Sequence, residues 1–152
     1  EARASLMWAG SVSHNDYTGC GRARLFPVHK LEHELSAFRD EIAHGAGLSV
    51  LFPAWALYEM GRDVPRFAQL ANRVLGVEMD FAHPERTARE GILTLRRFFE
   101  EINMPVHMAQ LGIKPSDYEK LADNTVRTVG GPVKSYSPLD KDAILAIYRL
   151  AE

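Results

Sequence analysis

The chain has 152 residues, 46% of them hydrophobic and 25% charged, which fits one globular domain and excludes a disordered, collagen-like or coiled-coil chain. Eighteen Lys and Arg stand against twenty Asp and Glu, a formal charge of -2 with no basic block, so neither nucleic acid nor an anionic membrane surface is an expected partner. The single Cys20 has no companion for a disulfide or a CxxC motif, which leads us to expect a reducing, cytoplasmic setting.

The chain opens on Glu1 with no charged leader and cleavage site, and a piece of a longer protein is expected. Helical spacing recurs between Pro and Gly punctuation, and no period-two alternation persists, so the pattern predicts an all-α bundle of about seven to nine helices. An opening helix is predicted around Ala4 to Val12, followed by the turn-rich SHNDYTGCGR. Pro27 suits the first turn of a second helix, whose apolar stripe is Val28, Leu31, Leu35 and Phe38. His29, His33 and Ser36 follow at i, i+4 and i+7 along a neighbouring face. From His44 the segment is apolar on nearly every side, which marks a helix at the centre of the bundle, with a bend expected at Pro53. Its run GLSVLFPAWALYEM is shorter than the ~20 apolar residues of a membrane span.

Asp63 is placed to cap a helix whose Phe67, Leu70, Ala71 and Val74 face the core, with Gly76 as its stop. A longer helix runs from Pro84 to Ile102, with Ala88, Ile92, Leu95, Phe99 and Ile102 on its inner face. Ser116 and Glu119 form a candidate capping box ahead of Tyr118, Leu121, Ala122 and Thr125, and Gly130-Gly131-Pro132 ends that helix. A last helix starts near Asp140.

Four of the six histidines, His14, His29, His33 and His44, lie in the first third of the chain. Two imidazoles at i, i+4 can aim at one point, and neutral imidazole is a common ligand of Zn²⁺ and Fe²⁺. His44 precedes Gly45 and Gly47, where another group can approach the backbone closely. The segment HKLEH also fits HxxEH, the pattern of inverted zincin hydrolases, in which His29 and His33 would bind zinc and Glu32 would activate water. A noncatalytic helical module with incidental histidines is a third reading.

As one unit, VHKLEHELSAFRDEIAHGAGLSVLFPAW resembles the metal-binding signature of the iron-containing (group III) alcohol dehydrogenase family, in its butanol dehydrogenase-like branch, and RASLMWAG upstream is similar too. The resemblance covers essentially the whole chain and implies the all-helical C-terminal domain of an NAD(P)-dependent alcohol dehydrogenase or aldehyde reductase. It implies Fe²⁺ or Zn²⁺ acting as a Lewis acid on the oxygen of a small alcohol or aldehyde. Carried over by position, His29 and His44 match metal ligands, and His33 matches a further active-site histidine suited to proton relay. In the family the other two ligands, an Asp and a His from a DxxxH segment, lie upstream of everything in residues 1–152, as does the N-terminal nucleotide-binding domain, and no GxGxxG phosphate loop occurs here. The isolated domain is therefore expected to be inactive and, through its orphaned interdomain face near Phe26, prone to self-association. Phe26 and Phe38 are candidates for lining the pocket, with plain core packing the favoured alternative for each, since aromatic residues at helical spacing are usually core. Two departures from the family pattern stand out. Ten residues separate His33 from His44, one more than in most relatives, and Leu-Phe-Pro stands before the first ligand in place of an aspartate-tryptophan pair. The extra residue is expected to bulge the RDEIA loop without moving His44.

Overall fold

A computed structural model describes residues 1–21 and 25–152. Its elements are α1 (Ala2–His14), α2 (Pro27–Phe38), α3 (His44–Glu59), α4 (Val64–Arg73), α5 (Pro84–Glu101), α6 (Tyr118–Val129) and α7 (Lys141–Leu150), joined by short 3₁₀ turns. The all-α expectation holds, and the described residues include no strand. Val133 and Leu139 exchange two backbone hydrogen bonds of 2.9 Å and close the loop before α7. Arg22, the last residue of the turn-rich stretch, lies outside the described residues.

The helix starts follow local chemistry. Pro27, Pro65 and Pro84 each sit in a first turn, where a missing N–H leaves nothing unpaired. The Asp63 carboxylate accepts from Arg66 N at 3.2 Å, and Asp140 accepts from Ala143 N at 2.9 Å, so both act as N-caps. The cap expected from Ser116 and Glu119 lies elsewhere: Asp117 accepts from Lys114 N at 2.9 Å and fixes the 3₁₀ turn Pro115–Asp117, while Glu119 pairs with Lys141 at 2.7 Å. Gly130, at φ 80°, ends α6 in the left-handed region that glycine adopts without a Cβ penalty.

Helix α3 is the centre of the bundle. One of its sides joins Leu31 and Leu35 of α2, Leu121 of α6 and Ile144, Ile147 and Tyr148 of α7 in the main core. Its other side meets Phe67 and Ala68 of α4 and Ala88 and Ile92 of α5 in a second cluster. A helix packed on both sides must be apolar all round, and Pro53 is itself buried within it. No helix among the described residues is long and apolar enough to cross a membrane. Helix α1 buries no residue, and its Leu6, Met7 and Trp8 are 74%, 71% and 72% exposed.

Two stripes differ from the sequence pattern. Val74 follows the end of α4 and is 70% exposed, because the helix stops before that position can turn inward. Ala88 and Ile92 are buried, whereas Leu95, Phe99 and Ile102 line an open cavity shared with α2 and α3. Helices α4 and α5 pack tightly at Gly91, where an added Cβ would lie 2.7 Å from Ala71 Cα. Gly91→Ala is expected to destabilise the chain by about 1–3 kcal/mol, the usual range for overpacking. Gly61→Ala, which meets nothing within 4 Å, should stay within about 0.5 kcal/mol of the parent. Urea unfolding of the two variants checks the contrast.

Candidate metal centre

Helical spacing puts His29 and His33 one turn apart on α2, and the loop 39–43 returns the chain so that His44 opens α3 beside them. The His44 ring centroid lies 5.1 Å from that of His29 and 5.5 Å from that of His33, and His29 and His33 are 6.4 Å apart. The loop is fixed from both ends. Arg39 Nη1 donates to Gly112 O at 2.9 Å, Arg39 Nε donates to Glu41 at 2.8 Å, and Ser36 Oγ lies 3.3 Å from Ile42 O.

His33 is exposed, His29 is intermediate, and the His44 side chain is 48% exposed. Burial pushes the His29 imidazole below its ordinary pKa; His44 and His33 add to this, and Glu32 opposes it. A lowered pKa keeps the ring neutral near pH 7, the form that coordinates a metal. His14, at the end of α1, also contributes to lowering the His29 pKa.

Glu32 is the residue whose place the spacing argument missed. It lies between His29 and His33 in sequence yet has no exposure, because it shares the inward face with Val28, Leu31 and Leu35. Ser36 Oγ donates to its Oε1, and its Oε2 pairs with His44 Nδ1. Gly47 makes the burial feasible: a Cβ there would fall 2.5 Å from Glu32 Cγ and 2.7 Å from Oε1. The close approach expected at the glycines is therefore made at Gly47 by a side chain of the same domain. Glu32, His33 and His44 together offer ligand atoms within 4.8 Å of one another.

On the His29 side a cavity of about 550 Å³ opens, bounded by apolar groups that include Phe26, Leu48, Phe52, Leu95, Phe99 and Met104, with His29 as its titratable member. Phe26 lies edge-on to His29 at 5.2 Å between centroids. Phe38 does not reach this cavity; it packs on the main core with Lys120 Nζ 5.1 Å from its ring centroid.

The C-terminal region of the Fe-containing alcohol dehydrogenase family matches residues 1–151. The chain is 35% identical over 150 residues to NADH-dependent butanol dehydrogenase A of Clostridium acetobutylicum, covering 98% of this chain and 38% of that protein. It is 29% identical over 136 residues to an NADPH-dependent aldehyde reductase of Escherichia coli, covering 86% of this chain and 34% of that protein. The crystal structure of an NADH-dependent butanol dehydrogenase A from Thermotoga maritima superposes with a TM-score of 0.92 at 30% identity, over 99% of this chain and 39% of that one. The chain belongs to the Fe-containing alcohol dehydrogenase family and corresponds to its C-terminal region. It spans 38% of the length of the first curated relatives it matches.

The two glycines of AHGAG are structurally unequal, which a substitution pair exposes. Gly47→Ala is expected to cost about 1–3 kcal/mol through the clash with Glu32. Gly45→Ala, whose Cβ would meet only Met104 Cε at 4.0 Å, is expected to be neutral or to stabilise by up to about 1 kcal/mol through helix propensity. Thermal and urea melts of the pair distinguish the two sites.

Proposed function

We propose that this chain is the C-terminal helical, metal-binding domain, residues 1–152, of an NAD(P)-dependent alcohol dehydrogenase or aldehyde reductase, and that His29 and His44 bind Fe²⁺ or Zn²⁺. The observation that carries the reading is the convergence of these two rings, 5.1 Å apart, where His29 borders an apolar cavity. The donor set suits a borderline divalent cation, being imidazoles from two helices with one ring already held through Nδ1 by a carboxylate. An Asp and a His from a segment upstream of residues 1–152 complete the ligand set, and an N-terminal domain preceding these residues holds the nicotinamide nucleotide. A bound cation supplies Lewis acidity toward the substrate oxygen.

The residues of this chain have separate tasks. His29 and His44 hold the cation, the apolar wall around Phe26 and Phe99 receives the carbon chain of a small alcohol or aldehyde and excludes water, and a ring nitrogen of His33 relays the proton. The exposed Leu25, Phe26 and Ile102 beside His29 belong to the face that meets the N-terminal domain, and residues 1–152 taken alone would self-associate through that face. A zinc hydrolase of the HxxEH kind would need Glu32 free to take a proton from water, and Glu32 is buried with both oxygens engaged.

Two outcomes follow from an incomplete ligand set. Zn²⁺ titration of the chain should give weak binding, about micromolar or weaker, abolished by His29→Ala and by His44→Ala; tighter binding that survives both substitutions contradicts the assignment. With butanol and NAD⁺ or NADP⁺ the chain alone should show no turnover above background, because nothing positions the hydride acceptor. Turnover in a preparation free of host dehydrogenases would contradict the division of labour.

A further inference from the structure

Glu32 and Glu59 are the two carboxylates without exposure among the described residues, and Glu32 alone of the pair touches the histidine cluster. A buried carboxylate is costly unless its lone pairs are satisfied. Three elements satisfy or seat this one: the Ser36 hydroxyl one turn along α2, the His44 ring across the helix interface, and the missing Cβ of Gly47. The motifs HxxEHxxS and HGAG therefore interlock as one packed unit, with Glu32 at the contact.

We infer that Glu32 is a positioning residue that fixes the tautomer and orientation of His44. A neutral imidazole carries one N–H and one lone pair. With Nδ1–H donating to Glu32 Oε2, the lone pair is confined to Nε2, and the ring cannot turn about its Cβ–Cγ bond without abandoning the buried carboxylate. Ser36 keeps the carboxylate itself from rotating by donating to Oε1. Helix α2 thus supplies His29 and His33 to the cluster and also sets the direction from which α3 presents His44. The inference rests on the reading of His44 as a ligand, but the tautomer can be measured without any metal.

The test is long-range ¹⁵N–¹H NMR of the histidine rings at about pH 8, above the ordinary imidazole range, on the parent chain, Glu32→Met and Glu32→Gln, with folding confirmed by circular dichroism. In the parent His44 is expected as the Nδ1–H tautomer. Glu32→Met should return it to the Nε2–H tautomer favoured by free imidazole side chains, leave the His29 ring signals in place, and weaken Zn²⁺ binding by roughly 10- to 100-fold. Glu32→Gln keeps a carbonyl oxygen for Nδ1–H, so it should retain the tautomer and recover most of the affinity. Ser36→Ala, a milder change that preserves the core, should give a mixture of His44 tautomers even if Glu32→Met fails to fold. A parent His44 in the Nε2–H form overturns the inference. So does Glu32→Gln losing as much Zn²⁺ affinity as Glu32→Met, which would make the carboxylate a direct ligand. A tautomer change in Glu32→Met without any change in Zn²⁺ affinity upholds the hold of Glu32 on His44 and overturns the ligand assignment of His44.

Discussion

The space left by the missing Cβ of Gly47 admits the Glu32 side chain between α2 and α3, and the histidine cluster depends on that fit. A side chain at position 47 would occupy the space of the carboxylate. A carboxylate withdrawn from that space would leave His44 Nδ1 without its partner. The packing of two central helices and the geometry of three imidazoles are consequently one constraint, and close-packed interiors transmit such constraints because they deform little.

The rest of the bundle keeps α3 where that contact requires it. Leu51 and Ala54 lock α3 into the core with α2, α6 and α7, and Ala56 joins it to the α4–α5 pair. Each fully buried leucine or isoleucine contributes about 1.5–3 kcal/mol, and the main core holds Leu31 and Leu35 on α2, Leu121 on α6 and Ile144 and Ile147 on α7. Ser49 adds a polar tie by donating to Pro105 O at 2.7 Å, which anchors the middle of α3 to the segment after α5. The outer half of α5 leaves Leu95 and Phe99 facing a cavity, and an apolar cavity beside a neutral imidazole is a suitable environment for a small substrate with one polar end.

Much of the fold was legible because its boundaries are set by local chemistry. Proline in first turns, aspartate N-caps at Asp63 and Asp140 and the left-handed Gly130 act within a few residues of the sequence. The central place of α3 was legible from its unbroken apolarity, and the neighbourhood of His29, His33 and His44 from spacing together with family resemblance. What failed needed three-dimensional information. A 3₁₀ turn, Pro115–Asp117, precedes α6, and its own bond from Lys114 N to Asp117 stands where a Ser116 cap was expected. Val74 sits just past a helix end, where periodicity no longer determines which way a side chain faces. Glu32 was read, from the HxxEH pattern alone, as a group that would activate water. Its position on the Val28–Leu31–Leu35 face was the available sign that it is buried, and the second glycine of HGAG was the sign of what it is buried against.

The central claim is that His29 and His44 meet at one cation, and X-ray absorption at the zinc edge of the Zn²⁺-loaded chain tests it most directly. Two imidazole nitrogens at about 2.0–2.1 Å, with the remaining positions filled by water oxygen, are the predicted result, and each of His29→Ala and His44→Ala should remove imidazole scattering. A zinc environment unchanged by both substitutions, or one dominated by carboxylate oxygen that disappears in Glu32→Gln, would contradict the account.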